Sequence, residues 1–425
     1  MKILVVGGGA REHAIAWKLS RDRSVSEVIC APGNPGIQSV ARCIAADAAN
    51  PAEILALAHR EAVGVTVVGP ELPLSLGIAD LFRSKGLPIV GPSAAAAALE
   101  SSKAFAKNFM ARHRVPTAHF RVCESAAAAL AALASGEFEF PVVIKADGLA
   151  AGKGVVIADD RAVAESTIHD VMVDRRFGAS GERVVLEEFL VGSEASYFVL
   201  ADGTAFMPMT SAQDHKRIFD DDRGPNTGGM GAFAPSPLIT SEIERRVIDE
   251  VVRPVLEGME SEGTPFRGFL YVGLMLTDTG PKVIEFNVRF GDPEAQVIFP
   301  MIDEDLGWLF GSAAAGVLPS RPVKVRHEPH VGVVLAAAGY PDAVEKGKVI
   351  TGLESAERGR DVLVFHAGTE RREGKVVTAG GRVLTVVGGG ATYRDAIENA
   401  YAAVSRIQFE GMQFRSDIGR KAVLA

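Results

Sequence analysis

The sequence has no long hydrophobic run and little cysteine, and each shortage excludes a class of protein. No apolar stretch approaches the about 20 residues that a membrane-spanning helix needs, although 47% of the residues are hydrophobic. The three cysteines form no CxxC pair, and an odd number does not build a disulfide framework. These features predict a globular protein without a membrane segment, in a reducing, cytoplasmic compartment.

The chain also has no excess of basic residues and no basic leader. Its 45 Lys and Arg against 53 Asp and Glu give a formal net charge of -8, which argues against nucleic acid or an anionic membrane as a general partner. The first residues pass directly into an apolar, strand-like run at 3–6. Any anionic ligand must therefore be held by local lysines and glycines.

Periodicity predicts several domains in the 425 residues. Apolar runs at 3–6, 27–31, 65–68 and 88–90 alternate with helical patterns at 12–20, 51–61 and 74–85, which is the rhythm of a parallel α/β sheet. An alanine-rich helix follows Ser93, and a hairpin is predicted within 267–286. Further strands and a helix at 393–407 end the chain.

The predicted fold class is α/β and α+β, with several domains. We expect an N-terminal parallel α/β domain at 1–100 and a central domain at 101–325, which carries a small lid at about 118–192. A mixed α/β C-terminal domain is expected at 326–425.

The first glycine cluster, VGGGAREHA, follows the first predicted strand. A strand that ends in glycines before a helix presents backbone N–H groups to an anion. Gly7 and Gly9 fit the dinucleotide pattern, but Glu12 stands where its third glycine belongs, which disfavours a pyrophosphate. A single phosphate beside Arg11 is one interpretation, and a turn that needs glycine only for its geometry is the other.

The second glycine cluster, KADGLAAGKGVVI, departs from the Walker A spacing. Only three residues separate Gly148 from Gly152, and Gly154 follows Lys153 where a hydroxyl is required. Apolar runs on both sides predict a β-hairpin whose loop folds over phosphates, although glycine-rich hairpins without a ligand are also common.

Two acidic or charged segments follow. In VVLEEFLVG, Glu187 and Glu188 are adjacent on a predicted strand and so point to opposite faces, one of which needs a partner, a cavity or solvent. The run at 210–235 has little apolar periodicity and several glycines, which is typical of a functional loop; a disordered insert is the alternative.

The segment KVIEFNVRFGDPE predicts a metal site. Glu285 and Asn287 lie two residues apart on a strand and share a face, where two hard oxygen donors suit Mg²⁺ together with phosphates. Arg289 continues that face, and its guanidinium is suited to a carboxylate or a phosphate.

Taken together, Lys103, Lys145, the glycine hairpin, 187–190 and the Glu285/Asn287 pair resemble the ATP-grasp superfamily. The strings VGGGAREHA, APGNPG, KADGLAAGKGV, QDHKR, GPNTGGMGA and EFNVRFGDPE further resemble the family of phosphoribosylamine-glycine ligases of purine biosynthesis, in order over nearly the whole chain. The central domain would then be an ATP-grasp domain.

The resemblance implies ATP as co-substrate, Mg²⁺ or Mn²⁺ as metal, and glycine and 5-phosphoribosylamine as substrates. The implied catalytic residues are Arg289, Lys145 and Asp214. The implied nucleotide-binding residues are Lys103, Lys145, Gly152, Lys153, Gly154, Glu187, Glu188, Phe189, Leu190 and Glu194. The implied metal ligands are Glu285 and Asn287. The implied substrate-binding residues are Gly8, Gly9, Arg11, Glu12, Asn34, Asn226, Thr227, Gly228, Gly229, Met230, Arg289, Gly291 and Asp292.

The implied reaction activates glycine as a glycyl phosphate, from which the amine of phosphoribosylamine displaces phosphate to form an amide. Many ATP-grasp relatives carry a further metal-binding acid on the preceding strand, but YVGLML has none, so the number of metal ions stays open. Rival interpretations are another ATP-grasp ligase, an NAD-binding dehydrogenase and a non-catalytic nucleotide sensor. We expect a monomer, with a dimer as the alternative.

Overall fold

The computed structural model describes residues 1–149 and 154–424. Its N-terminal part contains β1 (Lys2–Gly7), α1 (Ala10–Leu19), β2 (Glu27–Pro32), β3 (Arg42–Cys43), α2 (Pro51–Arg60), β4 (Val65–Val68), α3 (Glu71–Ser75), α4 (Ile78–Ser84) and β5 (Ile89–Val90). The five strands form one parallel sheet in the order β3-β2-β1-β4-β5. The predicted parallel α/β sheet is therefore confirmed.

The first strand shows why this sheet is buried on both faces. Ile3 and Val5 point into one hydrophobic core, while Leu4 and Val6 point into another. Side chains alternate between faces along a strand, so a run without polar residues supplies two cores at once. Burial on both faces holds the middle of the sheet in place. The loops that follow its strands lie at the carboxyl edge of the sheet.

Two helices that the sequence pattern predicts as continuous are broken. The pattern at 74–85 is divided between α3 and α4, because Gly77 adopts φ +80, a left-handed conformation that a helix interior does not allow. The alanine-rich pattern is divided into α5 (Ala94–Ser101) and α6 (Lys103–Arg112). Ser102 is extended there, and its hydroxyl accepts a hydrogen bond from the Phe105 backbone N–H, so it caps a new helix.

A four-stranded sheet follows α6. Its elements are β6 (Phe120–Cys123), α7 (Ala126–Ala134), β7 (Val142–Ala146), β8 (Val155–Ala158), α8 (Arg161–Ile168) and β9 (Val184–Glu188), with strand order β6-β9-β7-β8. β7 and β8 pair antiparallel, as the hairpin interpretation of the second glycine cluster requires. Gly152 and Lys153 of that cluster lie outside the described residues.

The middle of the chain is built on long antiparallel strands. Its elements are β10 (Ser193–Asp202), β11 (Ala205–Asp214), β12 (Arg217–Phe219), β13 (Arg223–Asn226), β14 (Gly231–Ala234), α9 (Ser241–Val247), α10 (Arg253–Ser261), β15 (Arg267–Thr277), β16 (Gly280–Asn287), α11 (Glu294–Ile298) and α12 (Leu306–Ala315). The predicted hairpin is β15–β16, in which Gly273 pairs with Glu285 and Tyr271 with Asn287.

The last part extends the same sheet. Its elements are β17 (His330–Ala336), α13 (Leu353–Glu357), β18 (Val362–His366), β19 (Thr369–Arg372), β20 (Lys375–Thr378), β21 (Arg382–Gly389), α14 (Tyr393–Val404) and α15 (Arg420–Leu424). β14 pairs with β17, so one eight-stranded sheet runs β16-β15-β10-β11-β14-β17-β21-β18. Across residues 1–149 and 154–424, no helix is long and apolar enough to cross a membrane.

Three buried histidines make the stability of this fold dependent on pH. Burial lowers the pKa of His13 to about 3 and the pKa values of His215 and His366 to about 4. Below pH 6.5 the unfolded chain binds protons at these rings and the folded chain does not, so stability falls as pH falls. Asp214, whose pKa burial raises to about 7, keeps one proton in the folded state and partly offsets this loss.

We therefore expect the free energy of unfolding to decrease by about 2 kcal/mol from pH 6.5 to 5.5, in urea titrations. His215→Phe is the matched variant, because this ring packs near Phe233 and its two nitrogens have no hydrogen-bond partner among the described residues. The variant should reduce the dependence by about 1 kcal/mol, since one of the three protons is removed. An unchanged dependence would contradict the assignment to His215.

Candidate functional site

The turn at the carboxyl end of β1 is occupied by the side chain of Glu12. Its Oε2 accepts a hydrogen bond from the Gly9 backbone N–H at 2.6 Å, and its Oε1 accepts one from Arg11 Nε at 2.6 Å. A Cβ atom on Gly69 would lie 2.0 Å from Glu12 Oε1, so glycine is needed there to admit the carboxylate. Glu12 thus fills space that a dinucleotide pyrophosphate uses in a three-glycine turn.

Asn34 lies beneath this turn and is fully engaged by the protein. Its Nδ2 donates to the carbonyls of Gly8 (2.9 Å) and His366 (2.7 Å), and its Oδ1 accepts from the backbone N–H groups of Gly36 and Ile37, both at 2.9 Å. The side chain therefore has no donor left for a substrate. The structure supports a role for Asn34 in positioning Gly8, and its predicted contact with a substrate stays a prediction.

Replacing Asn34 by alanine should lower the free energy of unfolding by about 3 kcal/mol, because four backbone groups, three of them in buried bonds, lose their partner. The matched control is Asn50→Ala, since Asn50 Oδ1 accepts a single bond, from the Glu53 N–H at the exposed start of α2. That variant should lose about 1 kcal/mol. Urea unfolding of both measures the difference, and equal losses would rule out the network interpretation.

Two lysines face the space between β7 and β16. Lys145 Nζ donates to Glu187 Oε2 at 3.0 Å and to the carbonyl of Ile284 at 3.2 Å, and Lys103 Nζ donates to the carbonyl of Gly148 at 2.9 Å. The Gly154 carbonyl accepts from the Ala146 N–H and closes the base of the hairpin. Lys145 lies on β7, the first strand of the hairpin, and Lys103, at the start of α6, contacts the hairpin loop at Gly148.

The strand β9 presents its two acids to opposite faces, as predicted. Glu187 is buried against Lys145, whereas Glu188 is half-buried and pairs with Lys282 at 3.1 Å. After the strand, Phe189 is 40% exposed and Leu190 is half-buried. Glu194 pairs with Lys216 at 2.9 Å. An exposed ring beside backbone that is free of a sheet partner is suited to a flat heterocycle.

The Glu285 carboxylate is surrounded by cationic side chains. Burial opposes its ionisation, yet the surrounding cations hold the pKa of the Glu285 carboxyl below its usual value. These cations are Lys216, Lys145, Lys103 and Arg289. Asn287 Oδ1 accepts from Arg289 Nη2 at 3.1 Å. Three of these cations also pair with other carboxylates: Lys145 with Glu187, Lys216 with Glu194, and Arg289 with Glu100 and Glu71. Several cations gathered at one place supply the donors that a polyphosphate needs.

The donor set at this place also fits a divalent cation. Glu285 offers carboxylate oxygens and Asn287 an amide oxygen, on adjacent same-face positions of β16, and hard oxygen donors with phosphates are what Mg²⁺ takes. β15 contributes no acid, because Tyr271 and Gly273 stand opposite the two ligands.

A group of acids, Asp214, Glu294 and Glu194, lies near Glu285. Burial raises the pKa of Asp214 to about 7; Lys216 opposes this shift, and the nearby carboxylates of Glu294, Glu194 and Glu285 add to it. Glu294 is buried, and its Oε1 accepts a weak bond from Ser196 Oγ at 3.5 Å. A buried acid whose pKa is near 7 can bind a cationic group or exchange a proton near neutral pH.

Lys216 is a residue of this site that the sequence interpretation missed. It stands two positions after Asp214, at the end of β11, and lies close enough to Glu285 to lower its pKa. β11 ends at Asp214, so the period-two spacing that identified Glu285 and Asn287 does not extend to Lys216.

Arg289 is held by two acids from other elements. Its Nη2 pairs with Glu100 Oε1 at 2.9 Å and its Nε with Glu71 Oε2 at 3.4 Å. The next residue, Phe290, stacks on Phe198 with ring centroids 4.6 Å apart. Glu71 and Glu100 were not predicted, although Glu71 begins α3 three residues after the end of β4, where an acid at a carboxyl edge is a usable signal.

The loop at 226–231 is fastened by side chains from the last part of the chain. The Gly228 N–H donates to Tyr340 Oη at 3.0 Å, and Arg382 Nη1 donates to the carbonyls of Gly228 (2.6 Å) and Asp292 (2.7 Å). Neither Tyr340 nor Arg382 was predicted, because the sequence interpretation assigned no residue of 326–425 to the site.

Several predicted substrate-binding residues have structural partners in or near this loop. Thr227 Oγ1 donates to the Lys216 carbonyl and accepts from the Gly229 N–H, and Asn226 pairs with Arg217 in the β12–β13 ladder. The Met230 side chain is fully buried in a small hydrophobic cluster with Ile218 and Ala336, so the substrate contact predicted for this residue would involve its backbone and stays a prediction. The backbone of Met230 is part of the loop at 226–231.

The turn after β16 brings Gly291 and Asp292 to the same place. A Cβ atom on Gly291 would lie 2.3 Å from Glu294 Oε2, so only glycine leaves room for that carboxylate. Asp292 pairs with Arg382 at 3.3 Å and accepts from Gln296 at 2.7 Å. Cations lower the pKa of Asp292 despite its burial, so it is ionised beside the glycine turn of β1.

Comparison with known proteins covers nearly the whole chain. Three family models match: phosphoribosylglycinamide synthetase N domain at residues 1–100, its ATP-grasp (A) domain at 101–295 and its C domain at 330–421. The match at 101–295 confirms the predicted ATP-grasp domain in the middle of the chain.

Individual relatives agree. A phosphoribosylamine–glycine ligase of Xanthomonas campestris is 50% identical over 427 residues, covering 100% of this chain and 98% of that protein. The crystal structure of phosphoribosylamine–glycine ligase from Thermotoga maritima is 36% identical, with a TM-score of 0.86, covering 98% of this chain and all of that one. A biotin carboxylase of Campylobacter jejuni shares the fold at 16% identity, with a TM-score of 0.74 over 100% and 95% of the two chains. The chain belongs to the phosphoribosylglycinamide synthetase family.

Proposed function

We propose that this protein is an ATP-dependent ligase that joins glycine to 5-phosphoribosylamine and releases glycinamide ribonucleotide, ADP and phosphate, as a step of purine biosynthesis. The observation that carries the proposal is the cluster of Lys216, Lys145, Lys103 and Arg289 around the Glu285 carboxylate, with the carboxyl groups of Asp214 and Glu294 close by. Positive charge for a triphosphate and negative charge for an ammonium group then stand side by side.

ATP would lie between the β7–β8 hairpin and β16. Lys103, Lys145 and Lys216 would hold its phosphates, and Phe189 and Leu190 would contact the base. Glu285 and Asn287 would hold Mg²⁺ or Mn²⁺, which neutralises phosphate charge when bound. The hairpin loop with Gly152, Lys153 and Gly154 would cover the phosphates, and Glu188 and Glu194 would border the nucleoside.

Glycine would be held at both ends. Arg289 would bind its carboxylate, and the carboxylates of Asp214 and Glu294 would attract its ammonium group. This arrangement orients a carboxylate oxygen toward the γ-phosphate, and positioning of this kind supplies much of the catalysis in phosphoryl transfer.

The reaction would proceed in two steps, activation of glycine and formation of the amide. A glycine carboxylate oxygen attacks the γ-phosphorus, and the bond from that phosphorus to the β-phosphate oxygen breaks. The products of this step are glycyl phosphate and ADP. The amine of phosphoribosylamine then attacks the carbonyl carbon, the acyl–oxygen bond breaks, and phosphate leaves. The amine proton passes to Asp214, whose pKa of about 7 suits a base at neutral pH.

The acceptor would enter from the turn of β1. Gly8, Gly9 and Arg11 would face its ribose phosphate, with Glu12 shaping the turn, while the backbone at 226–230 and Asp292 would line the opposite side. The division into domains at 1–100, 101–325 and 326–425, with a lid at about 118–192, belongs to this proposal, as do a monomeric state and a cytoplasmic location.

The test is phosphate release from ATP in the presence of Mg²⁺, glycine and freshly made phosphoribosylamine, with each component omitted in turn. Release that requires both co-substrates supports the ligase. Release without phosphoribosylamine, or with another carboxylate in place of glycine, would retain ATP-grasp chemistry and overturn the substrate assignment. Replacing Mg²⁺ by Mn²⁺ tests the metal separately.

A further inference from the structure

Helix α6 places a second lysine behind the site, and the proposed mechanism gives it no role. Lys107 lies one turn after Lys103 on the same helix, so the two share a face. Only 2% of Lys107 is exposed, and its Nζ lies 2.7 Å from Glu187 Oε2 and donates to Thr117 Oγ1 at 2.7 Å. The ring of Phe120 lies 5.9 Å from the same ammonium.

Glu187 therefore stands between two ammonium groups. Lys145 Nζ lies 3.0 Å and Lys107 Nζ 2.7 Å from the same carboxylate oxygen, Oε2. All three side chains are nearly inaccessible to water, with exposed fractions of 6%, 3% and 4% for Lys145, Lys107 and Glu187. At such burial, one carboxylate and two cations leave a net charge of +1 that solvent screens weakly.

The position of that net charge matters for the nucleotide. If Lys107 were absent, the Glu187 carboxylate would be neutralised by Lys145 alone, and the Lys145 ammonium would be drawn into a one-to-one buried pair. With Lys107 present, the pair is complete without Lys145. Burial lowers the pKa of Lys107 to about 8 and the Glu187 charge opposes this, which is consistent with a close pair.

We propose that Lys107 is a positioning residue that compensates Glu187 and so leaves the charge of Lys145 available to the phosphates of the nucleotide. The proposal rests on the function proposed above only in taking ATP as the ligand of Lys145. A lysine that merely fills the core would support the fold equally well and would affect all substrates alike or none. A positioning role predicts a change in the affinity for ATP, whereas a core-filling role predicts equal changes for ATP and glycine, or none.

The experiment measures Mg²⁺-ATP binding by calorimetry without the co-substrates, together with KM for ATP and for glycine in the complete reaction. Lys107→Met should weaken ATP binding at least tenfold and change KM for glycine less than twofold. The matched control is Lys85→Met, an exposed lysine at the end of α4, which should change neither. Equal effects on ATP and glycine, or no effect on ATP, would overturn the proposal.

The double variant Lys107→Met with Glu187→Gln gives the sharper result. Removing the carboxylate should release Lys145 again, so the double variant should bind ATP at least fivefold more tightly than Lys107→Met alone. It also carries no unpaired carboxylate at 187, so it remains testable if Lys107→Met does not fold. In that case, a folded double variant that binds ATP at least tenfold more weakly than Glu187→Gln alone would overturn the proposal, because without the carboxylate Lys107 should matter little.

Failure of this inference and failure of the proposed function are distinguishable. If the unchanged protein binds no ATP, the ligase proposal fails with it. If it binds ATP and makes the amide, while Lys107→Met binds ATP normally, only the role of Lys107 fails.

Discussion

Glu285→Gln should lower kcat by about 10³-fold while the protein stays folded. The substitution keeps the shape of the side chain and removes its charge. In the structure Lys216, Lys145, Lys103 and Arg289 all favour the ionised form of this carboxyl group, and Asn287 is its same-face neighbour on β16. Without the charge, the hard-oxygen donor set for a divalent cation is reduced to neutral oxygens.

The measurement is the phosphate-release assay at saturating glycine, with urea unfolding as the check of fold. Glu257→Gln is the control, because Glu257 is an exposed acid on the outer face of α10. It should retain full activity. Raising Mg²⁺ should recover part of the activity of Glu285→Gln, since weaker binding of the cation is one source of the loss. A variant that keeps a tenth of the original kcat at low Mg²⁺ would contradict the metal assignment.

The strands were predictable because their pattern is local. β1 is an uninterrupted apolar run, and a run buried on both faces indicates a parallel sheet. The breaks at Gly77 and Ser102 were missed, since a sum of helix propensities over alanine and leucine outweighs one residue. Ser102 did carry a signal, because a serine before Lys103 can cap a helix.

The site was predictable where its residues share a strand. Glu285 and Asn287 stand out because same-face polar residues interrupt an apolar strand. Lys216 escaped notice because β11 ends before it, and period-two spacing is read only within a strand. Tyr340, in the turn after β17, and Arg382, at the start of β21, reach the loop at 226–231 from distant parts of the chain, and no spacing along the sequence indicates such contacts.

For two residues the resemblance implied a substrate contact, and the structure shows what surrounds their side chains. The four hydrogen bonds of the Asn34 amide are all within the protein. Met230 lies in the loop at 226–231, and its side chain points into a hydrophobic cluster. A motif therefore locates a loop, whereas the direction of each side chain depends on packing by distant parts of the chain.

Arg289→Met should lower the free energy of unfolding by about 3 kcal/mol and abolish measurable activity, and a second substitution separates the two effects. Arg289 Nη2 lies 2.9 Å from Glu100, whose side chain is only 8% exposed and whose Oε2 accepts the Val288 N–H at 2.8 Å. Removing the guanidinium leaves a buried carboxylate without its cation, and burial already raises the pKa of Glu100.

Adding Glu100→Gln to Arg289→Met should restore about 2 kcal/mol, because a neutral amide needs no counterion and can still accept the Val288 N–H. Activity should not return, since the neutral amide supplies no positive charge for the glycine carboxylate. Urea unfolding and phosphate release, measured on the same two proteins, test both statements. If the double variant regains activity with stability, Arg289 acts only through the fold. If stability stays low, the Glu100 charge is not the source of the loss, and the second acid at Arg289, Glu71, becomes the group to change next.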